Sequence, residues 1–305
     1  MDDSVKRDEA TFLWENEEES DHFSGSHWEP FFDDAEEVFR MLPAIIPEAL
    51  PMSGFSDDHD TTPPPYSPEP AFPDGFYLSW PLRAFGLMAA LRMADDANHI
   101  ESLFPYVGRG SEHALRIETV HVWDRCMEAQ IEATMGEAVI TFFDCMFVRN
   151  KDWYNTGDHY QFILTGIAYD AKNAEDKVFP VGCSPDVLAV LRKHAAEHGY
   201  ESPNEVEELH TKGMTALLPI SEWDRDDYQF QGVVRSVKEI EMLEQPGWMV
   251  RTTVIRYLGD DGDQTFDLDI LITQKIWKDK QAPSEGIEIE GALWLQGYLW
   301  SPHRW

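Results

Sequence analysis

The stretch that decides the fold is IEIEGALWLQGYLW, residues 287–300. Apolar residues and glycines alternate there with polar or aromatic residues, which is the period-two pattern of a β-strand. One face carries only Ile, Leu and Gly, so we expect it to point into a core. The other face begins with glutamates and ends in three large aromatics: Trp294, Tyr298 and Trp300. We expect another part of the chain to cover them; the alternative is an aromatic binding platform.

Strand-like stretches of the same kind occur in two groups along the chain. Both groups are rich in β-branched and aromatic residues, and turn signals such as GDDGDQ (259–264) separate the stretches. The groups look like diverged copies, with glycines at Gly232, Gly291 and Gly297 to bend the strands. The sequence therefore predicts a mainly β fold with helical additions, built from two tandem OB-like barrels at residues 109–182 and 219–305.

A resemblance accompanies these motifs. The closing GALWLQGYLW, the preceding DYQFQGVVRSV and the TFFD strand of the first group resemble a pattern in bacterial proteins of unknown function. The likeness covers roughly residues 110–300, and its motifs are glycines and core aromatics. It therefore implies a β-domain and carries no activity or catalytic residue.

Two helical regions are predicted beside the β-units. SWPLRAFGLMAALRMADDANHIESLF has apolar residues at three- to four-residue spacing, which predicts a packing helix within residues 76–108. CSPDVLAVLRKHAAEHG begins with a Ser-Pro helix start and predicts a helix in an insert at residues 183–218. A second short helix is expected near Ser202 and Pro203.

The N-terminal arm, residues 1–75, is acidic and rich in proline. It carries 20 of the 57 acidic residues and 3 of the 24 basic ones. Proline lacks the amide donor and fixes φ, so we expect the arm to be largely extended or disordered. Its interleaved aromatics either dock on the parent protein or bind a basic partner, and they include Phe12, Trp14 and Trp28.

The formal net charge of −33 restricts the classes of partner. Phosphate binding needs clustered Lys and Arg, so the charge argues against nucleic acid as a direct general ligand and against anionic membranes. No apolar run has the length of a membrane span, and the N-terminus lacks a signal-peptide pattern. The three scattered cysteines, Cys126, Cys145 and Cys183, favour a reducing cytoplasm.

One short motif suggests metal chemistry. His194, Glu197 and His198 formally match the H-x-x-E-H pattern of zinc peptidases, in which two histidines one helical turn apart share a metal. A third ligand would come from Glu205, Glu208 or His210. The motif has the composition of an ordinary surface helix, and we expect neither a metal nor a cofactor.

Nucleotide-binding, nucleophile-elbow and kinase motifs are missing from the sequence, so we expect binding and not catalysis. The expected function is an acidic adaptor that engages a basic protein surface, for example in a nucleic-acid-handling or defence-type complex. An alternative is an oligonucleotide or small-ligand binder on a barrel face, which would show a positive groove across Arg235, Lys238, Arg251 and Arg256. A third hypothesis is a metal hydrolase through His194 and His198.

Overall fold

The computed structural model describes residues 11–15, 25–52, 72–94, 97–123, 125, 127–136, 138–180, 185–199, 208–259 and 262–301. Within these residues the chain is mainly β, which confirms the predicted class. The strands are β1 (Phe12–Glu15), β2 (Leu50–Met52), β3 (Gly75–Pro81), β4 (Phe85–Arg92), β5 (His99–Val107), β6 (Ser111–Trp123), β7 (Ala129–Met135), β8 (Ala138–Asp144), β9 (His159–Asn173), β10 (Val178–Pro180), β11 (Glu208–His210), β12 (Ala216–Pro219), β13 (Asp227–Met242), β14 (Gln245–Gly259), β15 (Gly262–Thr273) and β16 (Glu288–Ser301). The α-helices are α1 (Glu36–Ile45), α2 (Phe147–Asn150) and α3 (Pro185–His198).

The strand predicted to decide the fold lies in the middle of a ten-stranded sheet. The order of this large sheet is β1-β6-β7-β8-β16-β9-β15-β14-β13-β12. Leu293 and Leu295 of β16 point into one apolar core, as the alternation predicts, and Trp294 points into a second core on the opposite face. Because both faces of β16 are buried at its centre, this strand lies between the two apolar cores.

Two closed circuits of strand pairing share strands β9 and β16. One circuit runs from β6 through β7, β8, β16 and β9 back to β6. The other runs from β13 through β14, β15, β9 and β16 back to β13. The two separate tandem barrels predicted at 109–182 and 219–305 are therefore not confirmed, since strands of both regions belong to one sheet.

The packing helix predicted within residues 76–108 is wrong. This region forms β3, β4 and β5, which pair with β2 in a four-stranded antiparallel sheet. Six consecutive residues of β4 are buried, from Gly86 to Leu91, because the sheet is covered on both faces there. A continuous apolar run does not distinguish a buried strand from a helix, so apolar residues at three- to four-residue spacing in this region did not establish a helix.

The N-terminal arm is partly folded against the body, which corrects the expectation of a largely extended segment. Residues 25–52 form a 3-10 turn (Ser26–Trp28), α1, a second 3-10 turn (Ile46–Glu48) and β2. Trp28 and Phe31 are buried in the second core, together with residues of the ten-stranded and the four-stranded sheet. Burial of these two aromatic side chains therefore holds this part of the arm against the body. β1 pairs in parallel with β6. Residues 1–10, 16–24 and 53–71 lie outside the described residues.

The insert at 183–218 contains the predicted helix α3, and the helix expected near Ser202 lies outside the described residues. The insert also contributes β11, which pairs with β10, and β12, the last strand of the large sheet. Cys145 is a free, fully buried thiol. Among the described residues, none of the helices has the length and apolarity needed to span a membrane.

Candidate functional site

The candidate site is built on the loop between β12 and β13. Backbone hydrogen bonds fix this loop: the amide of Trp223 donates to the carbonyl of Ile220 at 3.0 Å, and that of Leu295 donates to the carbonyl of Asp226 at 2.8 Å. The loop thereby turns Trp223 outward, with 52% of its surface exposed, and turns Asp226 inward.

A β-bulge brings Tyr169 to this loop. Opposite Ala292 and Leu293 of β16, strand β9 has one extra residue, Tyr169. Its hydroxyl donates to Oδ1 of Asp227 at 2.6 Å, and its ring meets the ring of Trp223 edge-on with centroids 5.6 Å apart. The bulge thus couples β9 to the start of β13.

Trp294 forms the floor beneath the loop. Its indole Nε1 donates to Oδ2 of Asp226 at 3.0 Å. The ring of His27, from the N-terminal 3-10 turn, lies edge-on with centroids 4.1 Å apart, and Phe104 and Phe143 also pack on the indole. The polar end of Trp294 therefore binds one oxygen of a buried carboxyl group while its apolar body fills the core.

Three carboxylates converge at this place. Ligand oxygens of Asp224, Asp226 and Asp227 lie within 4.8 Å of one another, and Asp224 is exposed. Burial raises the pKa of Asp227 to about 7, the charge of Asp226 adds to this effect, and the hydrogen bond from Tyr169 opposes it. Carboxylate oxygens suit hard divalent cations or a cationic side chain. We call Tyr169, Trp223, Asp224, Asp226 and Asp227 the Trp223 site.

The three aromatics predicted as a platform on β16 do not share one exposed surface. Trp294 is fully buried, so it offers no open ring face for stacking. Tyr298 is half-buried, and its hydroxyl donates to the carbonyl of Gly108 at 3.1 Å. Trp300 is 52% exposed. Two of the three are thus covered by another part of the chain, since Phe104 of β5 packs on Trp294 and Tyr106 of β5 packs on Tyr298, whereas Trp300 is exposed.

The three aromatics predicted in the N-terminal arm also pack within the protein. Phe12 is 6% exposed and contacts Phe72 edge-on, with ring centroids 5.1 Å apart. Trp14 is half-buried against the same phenylalanine, and Trp28 is fully buried. They present little surface to a partner, which matches the docking alternative for the arm.

The zinc-peptidase motif is only partly described. His194 and Glu197 are exposed on α3, and Glu197 lies 3.8 Å from Lys193 one turn earlier. The side chains of His198 and Glu208, and the whole of Glu205, lie outside the described residues. Nδ1 of His210 lies 3.0 Å from a carboxylate oxygen of Asp176. The structure therefore assembles no ligand set from the described members of the motif.

One of the four basic residues named for a positive groove is paired with an acidic side chain. Arg251 makes a two-bonded pair with Asp269, at 2.8 and 2.9 Å. Arg235 donates to Oγ1 of Thr253, whose hydroxyl donates to Asp267. Lys238 and Arg256 are exposed. This sheet face has mixed charge and is not a positive groove.

Comparison with known proteins finds no match to the chain among protein-family models, curated proteins or solved structures. The sequence analysis did not identify the Trp223 site. A signal for it exists in SEWDRDD (221–227), where a tryptophan stands inside a charged turn between two strand-like stretches. A large aromatic in such a turn has few ways to become buried, so it points to an exposed contact residue.

Proposed function

We propose that this protein binds a basic protein partner without catalysis, and that the Trp223 site is the place of contact. One observation carries the proposal: the exposed indole of Trp223 stands edge-on to Tyr169 in a loop whose next residue, Asp224, is also exposed. Exposed aromatics with a polar surround are typical anchors of protein interfaces.

The chemistry of the site favours a guanidinium or ammonium group. An arginine stacks on the face of an indole through cation–π attraction, and it donates paired hydrogen bonds to a nearby carboxylate. Trp223 supplies the ring, and Asp224 supplies an exposed acceptor on the same loop. The two groups together fit one arginine side chain of a partner.

The local and overall charges act in the same direction. Residues 221–227 contain four carboxylates and one guanidinium, that of Arg225. The net charge of −33 attracts positive surfaces over long range and raises the rate of encounter. A basic partner is therefore drawn to the molecule as a whole and then held at one anchor.

No specific observation favours the other hypotheses. Oligonucleotide binding is not supported by Arg251, whose charge is paired with Asp269, or by Arg235, which is linked to Asp267 through the hydroxyl of Thr253. A metal hydrolase through His194 and His198 has no assembled ligand set among the described residues.

The proposal includes an architecture and a location. The first circuit closes by a parallel pairing of its third and last strands in chain order, β8 and β16, as expected of an OB-like barrel. The second circuit closes by a parallel pairing of β15 with β9, which precedes it in the chain, and the two barrels would share β9 and β16. A cytoplasmic location is consistent with the free thiol of Cys145.

The test uses a capped peptide, acetyl-Arg-Leu-Arg-Leu-Arg-Leu-amide, titrated into the full chain by calorimetry at low salt with EDTA present. We expect W223A to weaken binding by about ten-fold or more, as loss of an interface anchor does. W300A is the matched control, because both indoles are 52% exposed and removal of either leaves the charge unchanged.

The outcomes separate the hypotheses. Loss of binding in W223A alone supports the proposal. Equal loss in both variants, or no binding of the peptide to the unaltered protein, contradicts it. Loss in W300A alone moves the contact to the exposed end of β16, where the alternative hypothesis placed a ligand.

A further inference from the structure

We infer that the contact surface continues from the Trp223 site across one open row of side chains, and that this row receives an extended basic segment of the partner. The inference rests on the proposed function. The row crosses four neighbouring strands, β12, β13, β16 and β9. The pairing register sets its members side by side: Leu218, Gln229, Ala292 and Asp170. We call these four residues the open row.

The rows on either side of the open row are partly covered. On one side the row is Ala216, Gln231, Glu290 and Lys172. There the side-chain amide Nε2 of Gln231 donates to the carbonyl of Thr211. Glu290 is buried and forms ion pairs with Lys172 and Lys177. On the other side Asp227 and Trp294 are buried beneath the loop. We therefore infer that the open row forms a shallow channel between them.

The members of the open row are accessible. Leu218 is 59% exposed, Gln229 is exposed, and Ala292 and Asp170 are half-buried. Leu218 is among the most exposed large apolar side chains of the described residues. Leu218 stands at one end of the row, and the exposed Trp223 lies in the loop beside it. Large exposed apolar side chains that lie close together indicate a surface that binds a partner.

The length of the channel suits an extended peptide. Neighbouring strands lie about 4.8 Å apart, so four strands span about 14 Å. An extended chain rises about 3.3 Å per residue, so about four or five residues fill that span. The channel thus accommodates a short segment that lies across the strands.

Charge complementarity selects a basic occupant. The loop that carries Glu222 and Asp224 borders the channel, running from Ile220 at β12 to the contact of Trp223 with Tyr169 on β9. Asp170 closes the far end, where it forms an ion pair with Lys278 and accepts the amide of Ala292 at 3.0 Å. A segment that alternates arginine with apolar residues places its cations toward the loop and its apolar side chains on Leu218 and Ala292.

The test compares L218R with L82R in the full chain, using the same capped Arg-Leu hexapeptide. Both leucines are 59% exposed, and both substitutions add one positive charge, so they differ only in position. Leu82 lies in the turn between β3 and β4. We expect L218R to weaken binding by about ten-fold or more and L82R by about two-fold or less, since like charges repel strongly only at close range.

W223A separates the failure of this inference from the failure of the proposed function. If W223A weakens binding but L218R behaves like L82R, the anchor stands and the open row is not part of the contact. If neither W223A nor L218R differs from its control, both are overturned. Chemical shifts of Gln229 and Ala292 that follow peptide addition would add direct support, and their constancy would contradict the inference.

Discussion

The hydroxyl of Tyr169 donates a 2.6 Å hydrogen bond to Oδ1 of Asp227, and this bond joins strand β9 to strand β13 across the shared strand β16. Burial and the neighbouring Asp226 favour the neutral carboxyl, whereas the hydrogen bond from Tyr169 favours the charged carboxylate. The balance raises the pKa of Asp227 to about 7. The Trp223 site therefore changes its charge near neutral pH.

Binding of the Arg-Leu peptide should strengthen as the pH rises from 6 to 8. Asp227 loses its proton in this range, and the added negative charge attracts the bound cation. If the cation lowers the pKa of Asp227 by about one unit, the gain in affinity is about three- to ten-fold. Calorimetry at pH 6, 7 and 8 measures it, and the peptide contains no group that titrates there.

D227N is the control for this pH dependence. An asparagine oxygen still accepts the hydrogen bond of Tyr169, so the geometry of the bulge is kept. The variant should bind with a weak and nearly constant affinity over the same range. Other ionisable groups lie nearby: Asp224 and Asp226 within 4.8 Å of this carboxylate, His27 against the ring of Tyr169, and Arg225 two positions earlier in the chain. A pH dependence that persists in D227N would assign the effect to one of them.

The free energy of unfolding should fall as the pH rises from 4 to 8 because of Asp144. This carboxyl is buried, accepts hydrogen bonds from the hydroxyl of Tyr154 at 2.5 Å and the amide of Met146 at 3.0 Å, and has its pKa raised to about 7 by burial. The folded state thus holds a proton that the unfolded state releases near pH 4. Its stabilising contribution is complete below pH 4 and is lost as the pH approaches 7.

D144N isolates this contribution. The variant carries a neutral group at every pH, so its stability relative to the unaltered protein should improve from pH 5 to pH 8 by an amount on the order of 2 kcal/mol. Urea unfolding at the two pH values gives the difference. E285Q removes the same charge from an exposed position and should show no such change. A constant difference between D144N and the unaltered protein would be evidence against a proton on Asp144.

Features that depend only on residues close together in the chain were predicted from the sequence. The alternation in β16 predicted that Leu293 and Leu295 face a core, and GDDGDQ predicted the hairpin between β14 and β15. Trp294 is different, because its cover includes His27, a residue more than 260 positions away in the chain. Hydropathy within β16 contains no information on such a partner.

Two further features could not be derived from the sequence for related reasons. Strand β4 is buried on both faces, so its run of apolar residues lost the alternation that marks a strand. Tyr169 reaches the Trp223 site through a bulge, and one extra residue in a strand leaves no distinctive composition. The contact of Tyr169 with Trp223 therefore becomes visible only once the register is known.

Residues 109–182 should not fold as an independent domain. Without β16 the first circuit is open, since β8 and β9 both lose their partner, and the core loses Leu293 and Leu295. Circular dichroism and size-exclusion chromatography of this fragment should show unfolded or aggregated protein. Fragments 1–199 and 208–305 expressed together contain β9 and β16 and should form a folded complex. A monomeric, cooperatively unfolding 109–182 fragment would show that the shared strands are dispensable.

E244G should stabilise the protein. Met242 pairs with Gln245, so Leu243 and Glu244 form a two-residue hairpin loop, with φ values of 51° and 64°. Such a loop favours glycine at its second position, because a side chain at positive φ costs about 1 kcal/mol. Glu244 is exposed, so its removal opens no cavity, whereas Leu243 is buried and is left in place. Glycine also raises the conformational entropy of the unfolded chain, which offsets part of this benefit. We therefore expect the free energy of unfolding to rise by about 0.5 kcal/mol.

G157A tests the same physics in the opposite direction. Gly157 has φ 84°, and a Cβ atom added there meets no other atom within 4 Å, so the substitution reports backbone strain without a steric clash. We expect this variant to lose about 1 kcal/mol in urea unfolding. A gain in E244G together with a loss in G157A assigns both effects to the sign of φ. If E244G is instead less stable than the unaltered protein, Glu244 makes a stabilising contribution that outweighs the strain of its backbone.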